Sequence, residues 1–145
     1  MNARGVTLLE LLVVLAIMAL IAAMVLPTFG DGVPTSTLRS SARQLASGLR
    51  MARTEAVAQK REAFLWLDLR GRRFKVDRDP KEYALPPRVE LALFTAQNDI
   101  VNENTGAIRF YPDGGSNGGR ITVAAGPRKF EVDVDWLTGR VAILE

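Results

Sequence analysis

The sequence predicts an α+β chain: a long N-terminal helix, apolar all round in its first half and amphipathic in its second, packed on a small, mostly antiparallel β-sheet domain. Three observations carry this. An apolar run comes first, apolar residues then recur at three- and four-residue intervals, and past Lys60 the period changes to two. A chain of 145 residues has room for one small domain beside that first segment.

Leu11 to Leu26 is apolar without a break, and the run reaches back through Val6, Thr7, Leu8 and Leu9 past one carboxylate, Glu10. As a helix, Val6 to Leu26 rises roughly 30 Å, the thickness of a bilayer core, so the segment over 6–27 is read as a transmembrane half-helix. A removed signal peptide would want a small-x-small cleavage site, and only Ile21-Ala22-Ala23 is available. A lipoprotein anchor would need a cysteine, and a core helix this apolar would need a larger protein around it. A carboxylate in such a segment costs about 2.5 to 3.5 kcal/mol, so Glu10 is read as paired and functional.

Thr28 to Pro34, with Gly30, Asp31 and Gly32, reads as a break or loosened turn. An amphipathic helix follows over about 36–60, capped by Ser36 or Thr37, with Leu38, Ala42, Leu45, Ala46, Leu49, Ala52 and Ala56 on one face. The β-rich part covers 63–145. Ala63 to Leu69 and Arg73 to Asp77 flank Arg70-Gly71-Arg72 as a hairpin, and Arg88 to Thr95, Ala107 to Tyr111, Arg120 to Ala124, Phe130 to Leu137 and Arg140 to Leu144 read as further strands. Strands grouped after helices and joined by short turns favour antiparallel pairing.

With neither Cys nor His, the chain has no disulfide, no thiolate nucleophile, no Cys/His zinc site and no histidine base. The formal charge of +3 is too small to mark a nucleic-acid binder unless the cations cluster. Asp113 to Gly119 carries oxygen ligands at Asp113, Ser116 and Asn117, but one carboxylate and no D-x-D-x-D-G spacing make it a flexible connection rather than a calcium loop. Asp133 and Asp135 alternate with Val132, Val134 and Trp136, which reads as a solvated strand face rather than a glycosidase pair. Trp66 and Trp136 read as core or edge packing rather than sugar platforms.

Met1-Asn2-Ala3-Arg4-Gly5 is a basic leader ending in Gly, followed by Val6-Thr7-Leu8-Leu9-Glu10. This resembles the type III signal of the type IV pilin superfamily. The resemblance implies a prepilin leader over 1–5, cleavage between Gly5 and Val6 by a cytoplasmic-side membrane peptidase, N-methylation of Val6, and Glu10 as the fifth mature residue, with a role in assembly. Val6 departs from the Phe usual there; Pro27 falls where pilins often carry a helix-loosening proline. Arg4 stands on the side that the positive-inside rule keeps cytoplasmic, which exports the remainder.

Phe110 to Ile121, FYPDGGSNGGRI, is similar to the F-x-P-D-G-x-S-x-G-G-x-I segment of H-type minor pseudopilins of type II secretion systems. Val134 to Val141, VDWLTGRV, is similar to their closing V-x-x-x-T-G-R-V hairpin. The resemblance implies a pilin-like fold and a structural subunit of the secretion pseudopilus rather than an enzyme, with no cofactor and no metal. It places 28–145 in the periplasm on a single-pass inner-membrane anchor. The partners implied are other major and minor pseudopilins, the prepilin peptidase, the inner-membrane secretion platform and membrane lipid. The alternative is a minor type IV pilin for fimbrial biogenesis or DNA uptake.

One basic stripe bears on that alternative. Arg39, Arg43, Arg50 and Arg53 fall within about 80° on a helical wheel, and Arg70, Arg72, Arg73 and Lys75 cluster at the hairpin. Such groups could neutralise phosphates. The acids Asp68, Asp77, Asp79 and Glu82 near the hairpin, and the lack of an aromatic stacking pattern, favour subunit contact or solvation over nucleic acid.

Overall fold

The computed structural model describes residues 5–25 and 32–145, which belong to two compact units, Met1–Gly32 and Val33–Glu145. In the first, α1 runs Leu8–Val25. Thr7 starts it: its hydroxyl accepts the Glu10 N–H at 3.2 Å and its carbonyl accepts that of Leu11 at 3.1 Å, satisfying donors that a first turn leaves open. Glu10 is the helix's one charged residue, and neither Gly nor Pro interrupts it. Its side chains from Leu8 to Met24 are all exposed.

Among the described residues no helix is long and apolar enough to cross a membrane. The shortfall in α1 is one of length, since 18 residues rise about 27 Å against a core of roughly 30 Å. The span expected over 6–27 runs past α1 at both ends. Residues 26 and 27, Arg4 of the leader, and 28–31 of the expected break lie outside the described residues.

In the second unit, α2 runs Thr35–Gln59. Its apolar face is the one the spacing predicts: Leu38, Ala42, Leu45, Ala46, Leu49, Ala52 and Ala56 are all fully buried. Ser41 joins them, its hydroxyl donating to the Thr37 carbonyl at 2.9 Å. The predicted cap at Ser36 or Thr37 is not used. The helix enters from Pro34, whose ring fixes φ at −58° and whose carbonyl accepts the Thr37 and Leu38 N–H groups at 3.0 and 3.3 Å. It ends at Lys60, in the left-handed region at φ 51°.

The strands are β1 (Ala63–Asp68), β2 (Arg73–Val76), β3 (Glu82–Ala84), β4 (Glu90–Thr95), β5 (Ile100–Asn102), β6 (Thr105–Phe110), β7 (Gly119–Ala125), β8 (Arg128–Val134) and β9 (Val141–Leu144). All pairings are antiparallel, as expected. They form two sheets rather than the single one expected, ordered β3-β2-β1-β6-β5 and β4-β7-β8-β9. The chain changes sheet between β3 and β4, between β4 and β5, and through 111–118 between β6 and β7, so these consecutive strands never pair. The short β3 and β5 carry too little alternation to be read from sequence. α2 packs on both sheets, against β1, β2 and β6 of the first and β7, β8 and β9 of the second. Leu65, Leu67, Phe74 and Val76 from one sheet and Ile121, Val123, Phe130 and Val132 from the other close one core with the helix. Each such large side chain contributes about 1.5–3 kcal/mol by leaving water.

Candidate functional site

The predicted processing and assembly residues all lie on the first unit. Gly5 and Val6 precede α1 and are exposed, with Val6 at 70%. Glu10 sits in the first helical turn, where a carboxylate opposes the positive end of the helix dipole, and its side chain is exposed. Between Gly5 and the end of α1 the surface is otherwise almost wholly apolar.

In the second unit, three distant stretches meet. Arg53 of α2 donates from Nε to the Gly114 carbonyl at 3.0 Å. Gly114 lies at φ +90°, and a Cβ there would come within 3.1 Å of the Arg53 guanidinium. Gly139, at φ +67°, is tighter still: a Cβ would fall 2.0 Å from the Gly114 carbonyl oxygen and 2.9 Å from Arg53 Nε. Both glycines are therefore needed for backbone conformation and for the space the guanidinium fills. The P-D-G and T-G-R stretches thus form one structure with Arg53 laid on them.

The 113–119 segment is not the flexible connection the sequence suggested. Asp113 accepts the Gly115 N–H at 2.9 Å, and the buried Ser116 donates from its hydroxyl to the Arg109 carbonyl at 2.6 Å. Asn117 accepts the Arg109 N–H at 2.9 Å and donates to Thr95 Oγ1 at 3.3 Å and to Asp99. The polar side chains that looked like free ligands are thus committed to the chain itself. Asp99 is 6% exposed and pairs with Arg109 at 2.5 Å, while Arg109 also reaches Glu62 at 3.4 Å and lies over the Phe64 ring at 5.1 Å. The Asp99 hydrogen bond, opposed by burial, raises the Arg109 pKa. This network ties β4, β6 and the crossing loop together. Asp99, Thr95 and Arg109 were not legible in the sequence as a site, because each is an isolated polar residue there.

The arginine stripe splits. Arg39 pairs with Glu145 at 2.9 Å and lies over Phe130 at 5.7 Å, and Arg50 donates to the Val141 carbonyl at 3.4 Å. Arg53 holds Gly114, and Arg43 is exposed and takes no part in these contacts. At the hairpin, Arg73 lies 3.5 Å from both Asp68 and Glu82, and Arg72 donates to the Val89 carbonyl at 2.8 Å. The Gly71 N–H, then the Arg73 charge, hold Asp68 below its ordinary pKa against the opposing effect of burial. Five of these arginines, Arg39, Arg50, Arg53, Arg72 and Arg73, hold neighbouring parts of the fold.

The Asp133 and Asp135 face also divides. Asp133 stays on β8 and accepts from Arg120 Nε at 3.0 Å, but β8 ends at Val134. Asp135 Oδ1 takes the Leu137 N–H at 3.0 Å, the Thr138 N–H at 2.8 Å and the Thr138 hydroxyl at 3.0 Å, closing a turn where continued strand was expected. The Thr138 backbone bond is the largest cause holding its pKa below the ordinary value. Trp66 packs as expected, stacked on Phe64 at 5.3 Å with Nε1 donating to Asp77 at 3.0 Å. Trp136 does not. The turn at Asp135 leaves it 67% exposed, lining with Phe94, 79% exposed, an open cleft of about 820 Å³.

Residues 41–138 match the family model described as type II transport protein GspH, and residues 1–26 match the prokaryotic N-terminal methylation motif. The chain is 33% identical over 138 residues to the type II secretion system protein H of Xanthomonas campestris pv. campestris, covering 95% of this chain and 81% of that one. The minor pseudopilin EpsH of Vibrio cholerae has a similar fold, with TM-score 0.59 and 11% identity over 75% of this chain and 96% of that one. So does the type IV minor pilin FimU of Pseudomonas aeruginosa, with TM-score 0.56 and 15% identity over 74% of this chain and 88% of that one.

Proposed function

The chain belongs to the type II transport protein GspH family, and from that premise we propose that it is a minor pseudopilin, a structural subunit of the type II secretion pseudopilus that helps export folded proteins across the outer membrane. The observation that carries this is the 33% identity to a secretion protein H along nearly the whole chain. The pilin-like fold alone does not separate secretion from fimbrial use, because EpsH and FimU are about equally similar to it. The role is that of a structural subunit.

The leader over 1–5 is removed between Gly5 and Val6 by the prepilin peptidase and Val6 is N-methylated; the N-terminal methylation motif supports this reading. The segment 6–27 anchors the subunit in the inner membrane, and 28–145 works in the periplasm beside other major and minor pseudopilins and the inner-membrane platform. The apolar, exposed surface of α1 supports burial in lipid before assembly and against other subunits after it. Glu10 supplies register. Once the leader is gone, the Val6 amine is a cation at membrane depth, and the amine of an adjacent subunit can meet the Glu10 carboxylate, relieving the cost of an uncompensated charge in lipid.

Deleting the gene and assaying exoprotein activity in the culture supernatant tests the reading. Secretion should be lost and be restored by the wild-type chain. Normal secretion with a loss of surface pili or DNA uptake would assign the chain to a pilus instead.

A further inference from the structure

Beside Arg53 lies a pocket of about 450 Å³ lined by Arg53, Asp135, Thr138 and Arg140. Its charges are unevenly spent. Arg53 uses Nε on a neutral carbonyl beside two glycines, which steadies its guanidinium, and it has no ion pair within 4 Å among the described residues. Asp135 Oδ1 is occupied by three donors of its own turn, and the Arg140 N–H is bonded to Thr138 Oγ1 at 3.3 Å. The other acids near α2 are taken, Glu145 by Arg39 and Glu55 by Arg61 at 2.9 Å. The Asp135 charge also acts on Arg140, so two guanidinium groups share one carboxylate and the pocket keeps a net positive charge.

We propose that this pocket receives the carboxylate of an Asp or Glu side chain from a neighbouring subunit, bound by the terminal nitrogens of Arg53 and Arg140. It rests on the reading of the chain as a pseudopilus subunit and names the chemistry of one contact. A guanidinium fork matches a planar carboxylate in two parallel hydrogen bonds, and pre-fixing Arg53 removes most of the side-chain entropy the contact would otherwise cost. A phosphodiester backbone fits less well. It would track an extended stripe, whereas this stripe has Glu145 at one end and Asp135 in the wall of the pocket at the other. In the sequence Arg140 stands only as the Arg of the T-G-R-V stretch, with no site role; the fold brings it to the Arg53 pocket through the turn that Asp135 closes.

The test uses the ¹⁵N-labelled full chain in detergent micelles, titrated with N-acetyl-glutamate amide, with N-acetyl-glutamine amide, and with a short DNA duplex. Saturable shifts of the Thr138 amide and the Arg53 and Arg140 side-chain N–H signals are expected with the glutamate probe and not with the glutamine probe. Arg140→Gln, which leaves the Arg53–Gly114 contact in place, should weaken the effect at least tenfold, as should Arg53→Lys, which keeps the charge but loses the fork. Equal response to both probes, no response in the wild-type chain, or stronger binding of DNA at these residues would overturn the proposal. In cells, a wild-type chain that restores secretion alongside an Arg140→Gln chain that restores it equally would remove the pocket while leaving the pseudopilin reading intact. A wild-type chain that does not restore it would remove the reading itself.

Discussion

The two helices use leucine and alanine in opposite ways. Leu45 and Leu49 on α2 are wholly shielded by two sheets of the same chain, whereas Leu12 and Leu15 on α1 are 61% and 59% exposed. α2 has a polar face because only one side of it has a partner within the chain. α1 has no polar face, and nothing within its own unit covers its apolar surface. The second helix is written for its own domain, and the proposed function gives the first to lipid and other subunits.

The largest effect should come from the one polar break in α1. Glu10→Leu should leave membrane association and removal of the leader unchanged but lower incorporation into the pseudopilus at least tenfold. The absence of native cysteine allows single-cysteine crosslinking to the major pseudopilin as a clean readout. Normal crosslinking by the Leu variant would mean that Glu10 is not an assembly contact.

Leu49→Ala should destabilise the chain by about 2–5 kcal/mol in denaturant unfolding, because it opens a cavity under α2. Leu15→Ala should change the same transition by less than about 0.5 kcal/mol, because Leu15 belongs to a separate unit and is exposed there. Equal effects would erase the distinction between the helices. Gly139→Ala should cost about 2–4 kcal/mol, combining a left-handed alanine with a methyl forced onto the Gly114 carbonyl. The smallest effect concerns Asp135. Its pKa is depressed in the folded chain, so its stabilisation is present above the unfolded value near pH 4 and is lost as pH falls through the folded value. Asp135→Asn should flatten the fall in melting temperature below about pH 4, and an unchanged acid slope would show that the turn does not depend on that charge.

Periodicity made the second helix legible almost residue by residue, because its buried face is set by spacing alone. The hairpin at Arg70–Arg72 and the longer strands were legible through their period of two, whereas the short edge strands β3 and β5 were not. What stayed hidden depended on contacts between distant stretches. Nothing near Asp99 in sequence says that Arg109 and Asn117 will bury it, and nothing in the alternation from Val132 to Trp136 says that Asp135 will turn the chain and leave Trp136 exposed. The arginine stripe was correctly placed on one helix face, but the division of its members among Glu145, Val141 and Gly114 belongs to the tertiary fold.

The claim that α1 is an assembly helix handed over by a processing step is tested most directly by intact-mass analysis of the membrane-extracted chain, from cells with and without the prepilin peptidase. The account predicts residues 6–145 bearing one added methyl group on Val6 when the peptidase is present, and the uncut chain when it is absent. An uncut chain in both strains, or a cut near Ala23, would contradict it.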